Sequence, residues 1–192
     1  PAALAIGGQR FANGTDVAIG GFGREAKQSI AAGAVFVGYG LQSDREKIDD
    51  YAGLDLKGKF AVALSGSPVG MPSEVGAHLA AEKALAAQKA AIRATATVHG
   101  PAADALFAGS RGNLATILKQ AGKKGGRPKG FALKPLVTLE RASNVSTAPS
   151  ANVLAVLPGS DPALAHEYVL LMAHLDHNGV KDSAKGDDKI YN

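Results

Sequence analysis

Residues 150–162 run S-A-N-V-L-A-V-L-P-G-S-D-P, and residues 166–179 run H-E-Y-V-L-L-M-A-H-L-D-H-N-G. The apolar run Tyr168–Ala173 leads straight into His174, Asp176 and His177. A short, unbroken apolar run bounded by polar residues fits a strand buried on both faces. Side chains able to bind a metal thus stand at the end of an expected strand, which is where open α/β sheets place their chemistry. Val153–Leu157 fits a second strand, and P-G-S-D-P, with Asp161 before Pro162, a tight turn between the two. The residues after His174 do not complete a metal site.

Upstream, short β-type pieces are expected at Ala2–Ile6, Val17–Ile19, Ala34–Val37 and Phe60–Leu64. The clearest helix is Glu74–Ala94. It is Ala-rich, with Leu79, Lys83 and Ala86 on neighbouring turns. Thr95–Val98 follows as a strand, with His99-Gly100-Pro101 as a stop. A second helix is expected over Leu114–Gln120 and a strand with alternating branched residues over Leu136–Glu140. This strand–helix–strand–helix–strand order predicts a compact α/β module over 34–143. A polar hinge at 143–150 separates it from the two terminal strands.

Composition sets bounds on the chemistry. The chain has 192 residues, 46% hydrophobic and 20% charged, which is ordinary globular usage and not that of a disordered chain. With no Cys, disulfides and thiolate sites are excluded. No apolar stretch approaches the ~18–20 residues needed to span a bilayer. The first residue is Pro and no export signal is legible. The formal charge is +4, much of the excess lying in Lys119–Lys134.

Three blocks in order carry a family resemblance. The terminal stretch S-A-N-V-L-A-V-L-P-G-S-D-P…E-Y-V-L-L-M-A-H-L-D-H-N-G resembles the opening of the catalytic domain of zinc-dependent aminopeptidases with a co-catalytic metal pair, related to bacterial leucine aminopeptidases and glutamate carboxypeptidase. Upstream, V-F-V-G-Y-G (35–40), D-D-Y-A-G-L-D-L-K-G-K (49–59) and F-A-V-A-L (60–64) resemble the protease-associated domain inserted in that family. The tail K-G-D-D-K-I-Y-N (185–192) is similar to the segment just before the metal-bridging aspartate.

The resemblance implies an α/β fold in three parts. Residues 1–33 would lead into the insert, 34–143 would form a β-rich protease-associated domain, and 144–192 would begin the α/β/α zinc-peptidase sheet. It implies a metal-dependent aminopeptidase acting on peptide substrates through two zinc ions, and an exported location, periplasmic or secreted. His174 would be a zinc ligand. Asp176 would hydrogen-bond a ligand histidine and fix its tautomer, a supporting catalytic role. His177 is placed as structural. The bridging Asp, the Glu pair with the general base, a further carboxylate and a final His are not assigned in this chain. The chain alone is therefore expected to be inactive and to work with the remaining catalytic part. The alternative is a non-catalytic module that binds substrates or partners.

Other features have plainer readings. Asp187 and Asp188 fit a solvated turn. G-G-F-G-R-E-A-K (20–27) has no strong strand before it, only the short piece Val17–Ile19, and no acidic residue after it at the spacing a nucleotide loop needs. K-K-G-G-R-P-K (123–129) has no interleaved aromatics for base stacking, so it is taken as a solvated loop and no nucleic-acid partner is expected. His78 and His99 are given no role. N-G-T (13–15) and N-V-S (144–146) match the glycosylation pattern, which has meaning only in an exported eukaryotic protein.

Overall fold

Four successive residues, Ala34, Val35, Phe36 and Val37, are almost wholly buried, as an unbroken apolar run demands. The first three end the longest strand but one in a computed structural model of the chain, and Val37 follows it. The structure describes residues 2–21, 26–89, 93–144, 146–147, 149 and 151–174. These fall in two units, Pro1–Thr147 and Ala148–Asn192.

The first unit is mixed α/β, rich in sheet and with few helices. Its strands are β1 (Ala2–Ile6), β2 (Gln9–Ala12), β3 (Val17–Gly21), β4 (Lys27–Phe36), β5 (Gln42–Ser43), β6 (Ile48–Asp49), β7 (Phe60–Val62), β8 (Ala94–Val98) and β9 (Phe131–Ala142). Its helices are α1 (Ser73–Lys89), α2 (Gly100–Phe107) and α3 (Leu114–Ala121). A five-stranded sheet has the order β2-β1-β9-β4-β7; β3 pairs with β8, and β5 with β6. Only β4 and β7 run parallel within the large sheet. Residues 1–33 thus supply three strands and the start of β4 to this unit.

β9 shows how the sequence is fitted to the sheet. Leu133, Val137 and Leu139 alternate inward, while Leu136 faces out. Pro135 sits inside the strand although it can donate no hydrogen bond. The pairing with β4 shifts there, between Ala32 and Ala34, so the proline falls at an irregularity in the ladder where its missing N–H is tolerated.

The inward faces of β1, β9 and β4 pack on α2 and α3 through Leu4, Ile6, Phe36, Leu106, Phe107 and Ile117. Phe36 has no exposed surface and meets the rings of Phe107 and Phe131 at 5.4 and 5.6 Å between centroids. Both contacts are tilted or edge-on, the arrangement favoured by the ring quadrupole. A smaller cluster joins Tyr39, Leu41, Ile48, Leu79 and Ala121.

His99-Gly100-Pro101 ends β8, as expected from the sequence, but it also starts α2. Pro101 lies in the first helical turn, where its missing N–H would have been unpaired anyway. The expected helix over Glu74–Ala94 does not reach its expected end: α1 is described over Ser73–Lys89, and Ala94 already belongs to β8.

In the second unit the two expected strands, Val153–Leu157 and Tyr168–Ala173, are not formed. The described residues 151–174 carry no strand pairing, and their one regular element is a 3-10 turn, Pro162–Leu164. Asp161 caps that turn by accepting a hydrogen bond from the Ala163 N–H at 2.9 Å. The physical reason is the lack of a partner. A strand is stabilised by neighbours on its edges and faces, and every described residue of 151–174 is exposed.

Candidate functional site

His174 lies at the end of the described part of the second unit, exposed, outside any helix or strand. Asp176 and His177 lie outside the described residues, as do Asp187 and Asp188. Among the described residues no three His, Asp or Glu side chains come together to hold a metal ion. A zinc site needs three or four protein ligands, and the described part of the metal-site sequence offers one imidazole. His78 is engaged locally, 3.3 Å from Glu82 one turn along α1.

The first unit does bring chemistry together. The three upstream blocks quoted above converge on the loop 37–41, which follows β4. Gly38 has φ of +61°, and a Cβ there would stand 2.7 Å from the Pro128 carbonyl oxygen and 3.5 Å from the Asp50 carboxylate. Only glycine fits that backbone and that close approach. The loop is tied to β7 by Val37 N–H donating to Val62 O and Leu64 N–H to Gly38 O. Its carbonyls are then claimed by side chains from elsewhere. Tyr51 Oη donates to Gly40 O at 3.0 Å, and Lys83 Nζ donates to Tyr39 O at 2.8 Å. Leu79 and Lys83 are one turn apart on α1, so the same face that buries Leu79 aims the ammonium at the loop.

Asp50 is the anion of this network, 8% exposed. Its Oδ1 accepts from Arg127 Nη2 at 2.6 Å and its Oδ2 from the Leu41 N–H at 3.1 Å. Burial pushes the Tyr51 hydroxyl above its ordinary pKa, helped by the negative charges of Asp50 and Asp49. Burial pulls the Lys83 ammonium below its ordinary value, and Asp50 opposes that only in part.

Beside this network lies an open cleft of about 370 Å³ bordered by Arg111, Thr116, Ile117, Gln120, Arg127, Pro128, Lys129 and Phe131. Arg111 stacks its guanidinium 5.4 Å from the Phe131 ring centre. Gly112 allows this, since a Cβ there would meet Phe131 Cζ at 2.8 Å. A second cleft of about 290 Å³ lies along β1, β4 and β9 and includes the Arg10–Glu140 ion pair.

The basic run 123–129, taken from the sequence as a solvated loop, is solvated only in part. Lys123, Lys124 and Lys129 are exposed, but Pro128 is buried and Arg127 anchors the run to Asp50. Nothing in the sequence singles out Asp50 or Arg127, which lie 77 residues apart. The one available signal was the Gly-rich, Pro-containing setting of Arg127, which marks a backbone held in place rather than a free tail.

No known protein family, curated protein or solved structure matches the chain. The loop 37–41 with its side-chain donors, the cationic cleft and His174 at the end of the described part of the second unit are therefore the ground on which function is argued.

Proposed function

We propose that this chain is the accessory unit and the first metal-ligand segment of a zinc-dependent aminopeptidase. His174 is a zinc ligand, and Asp176 orients a ligand imidazole. The observation that carries this reading is the stretch leading to His174. The nine large apolar residues of 153–157 and 168–172 are each 71–96% exposed. Apolar surface on this scale is stable in water only when covered. Its continuous pattern suits strands buried on both faces of a largely parallel sheet, with the histidine at the strand end. The reading therefore calls for further polypeptide that covers these runs and adds the missing ligands. Two zinc ions held there would polarise a peptide carbonyl and activate a water. This chain would contribute one ligand and, through Asp176, its orientation.

The decisive experiment replaces His174 by Ala in the peptidase that carries this chain with its complete metal site. Bound zinc and hydrolysis of leucine p-nitroanilide are expected to fall together; retention of both removes the assignment. Asp176→Asn is expected to lower metal affinity or activity by roughly 10–100-fold, the usual effect of losing a group that orients a ligand. The 192 residues alone are expected to show no metal-dependent hydrolysis.

A second reading has its own support. The first unit would be a non-catalytic module that binds peptide substrates or protein partners. The cleft beside Phe131, with Arg111, Arg127 and Lys129 on its border, is the feature that favours it.

A further inference from the structure

Between Asp104 and Glu140 the chain holds seven lysines and arginines and no acidic residue, in a protein whose formal charge is +4; the rest of the chain is therefore net acidic. The fold gathers three of the seven, Arg111, Arg127 and Lys129, around the 370 Å³ cleft. Arg127 is neutralised by Asp50 and held by it in one position. Its Nε is buried without an acceptor. Arg111 and Lys129 are exposed and have no ion-pair partner among the described residues. No acidic residue borders the cleft. Like charges converging on one concavity raise its potential and favour an anion entering it.

The neutral lining says which anion. Ile117, Pro128 and the Phe131 ring give the cleft an apolar side, and Thr116 and Gln120 add neutral hydrogen-bonding groups. A bare phosphate makes no use of the apolar side. A nucleic-acid base needs an open aromatic face, but Phe131 has Arg111 on its ring and packs against Phe36 and Phe107. Carboxylates on aliphatic stems use both parts of the lining. Guanidinium groups match a carboxylate with two parallel hydrogen bonds.

We propose that this cleft is a docking site for an acidic peptide segment. Asp and Glu carboxylates of the segment pair with Arg111 and Lys129, and its apolar side chains lie against Ile117, Pro128 and Phe131. The site stands apart from the zinc reading and does not depend on it.

Fluorescence anisotropy with the full 192-residue chain tests this. The probe is a labelled peptide, Leu-Glu-Asp-Glu-Phe, compared with its neutral counterpart Leu-Gln-Asn-Gln-Phe, with inorganic phosphate as competitor and with labelled ten-residue oligothymidylate. The acidic peptide is expected to bind at least tenfold more tightly than the neutral one and to resist phosphate at equal concentration. Arg111→Gln combined with Lys129→Gln is expected to weaken it at least tenfold with no change in the thermal midpoint. Lys119→Gln with Lys123→Gln removes the same charge from the same basic run outside the cleft and is expected to change binding by less than about threefold. Equal weakening by the two double variants would reduce the effect to net charge and overturn the site. So would tighter binding of the oligothymidylate, displacement by phosphate at equal concentration, or indifference to Arg111→Gln/Lys129→Gln.

Discussion

Asp50 has one carboxylate and two obligations, the Arg127 guanidinium and the Leu41 N–H. Asp50→Ala leaves both donors without their acceptor. Removing one member of a buried pair costs about 3–5 kcal/mol; Arg127 is 35% exposed and regains some water, so about 2 kcal/mol is expected, read from urea unfolding. Lys83 allows a test by pH. Its folded pKa is depressed, first of all by burial. Between that depressed value and the ordinary value near 10.4 the unfolded chain binds more protons than the folded one. Stability contributed through Lys83 therefore rises with pH across that window. Tyr51, whose pKa burial raises, acts in the opposite sense above about pH 10, where the unfolded chain has lost the proton first. Lys83→Met should flatten the rise below that point, measured as unfolding midpoints of the two proteins against pH. At this scale the sequence was partly legible. Gly38 and Gly40 in V-G-Y-G close the apolar run that ends β4, and Lys83 lies on the face of α1 that carries Leu79. The partners of Lys83 and Asp50 were not legible, because a carbonyl or a guanidinium 44 or 77 residues away leaves no local trace.

Elements with a strong internal pattern stand where the sequence puts them. α3 has an N-cap, Asn113, whose side chain accepts from the Thr116 N–H at 2.8 Å. β1 and β8 coincide with the expected runs to within a residue, and β9 contains its expected run within a longer strand. Asn113→Ala should cost about 1 kcal/mol through the lost cap, seen as a lower thermal midpoint. Phe36→Ala, in β4, opens a cavity between Phe107 and Phe131, and about 3–5 kcal/mol is expected in denaturant unfolding. α2 was hidden because glycine and proline at its start look like a break, although proline suits a first turn. The two strands expected after Asn152 failed for a different reason. Their apolar pattern states a need for burial on both faces, and a segment cannot satisfy that need by itself.

On the scale of the whole molecule, the contrast between the two units is the main physical fact. The first unit has its own core around Phe36 and Leu139, whereas every described residue of 151–174 in the second is exposed. The exposed runs should bind a hydrophobic dye and promote self-association. Leu157→Glu with Leu171→Glu should reduce dye fluorescence and association while leaving the thermal midpoint of the first unit unchanged; an unchanged dye signal would mean that the runs are covered in solution. Short-range pattern was enough to determine most of the strands of the first unit, two of its helices and the apolar demand of 153–172, because alternation, helical spacing and turn residues act over a few positions. Only the tertiary structure decided that β1 lies beside β9, that Asp50 meets Arg127, and that Arg111 and Lys129 share a cleft. Those pairings join residues far apart in the chain, and their energy exists only once the backbone between them has been folded back.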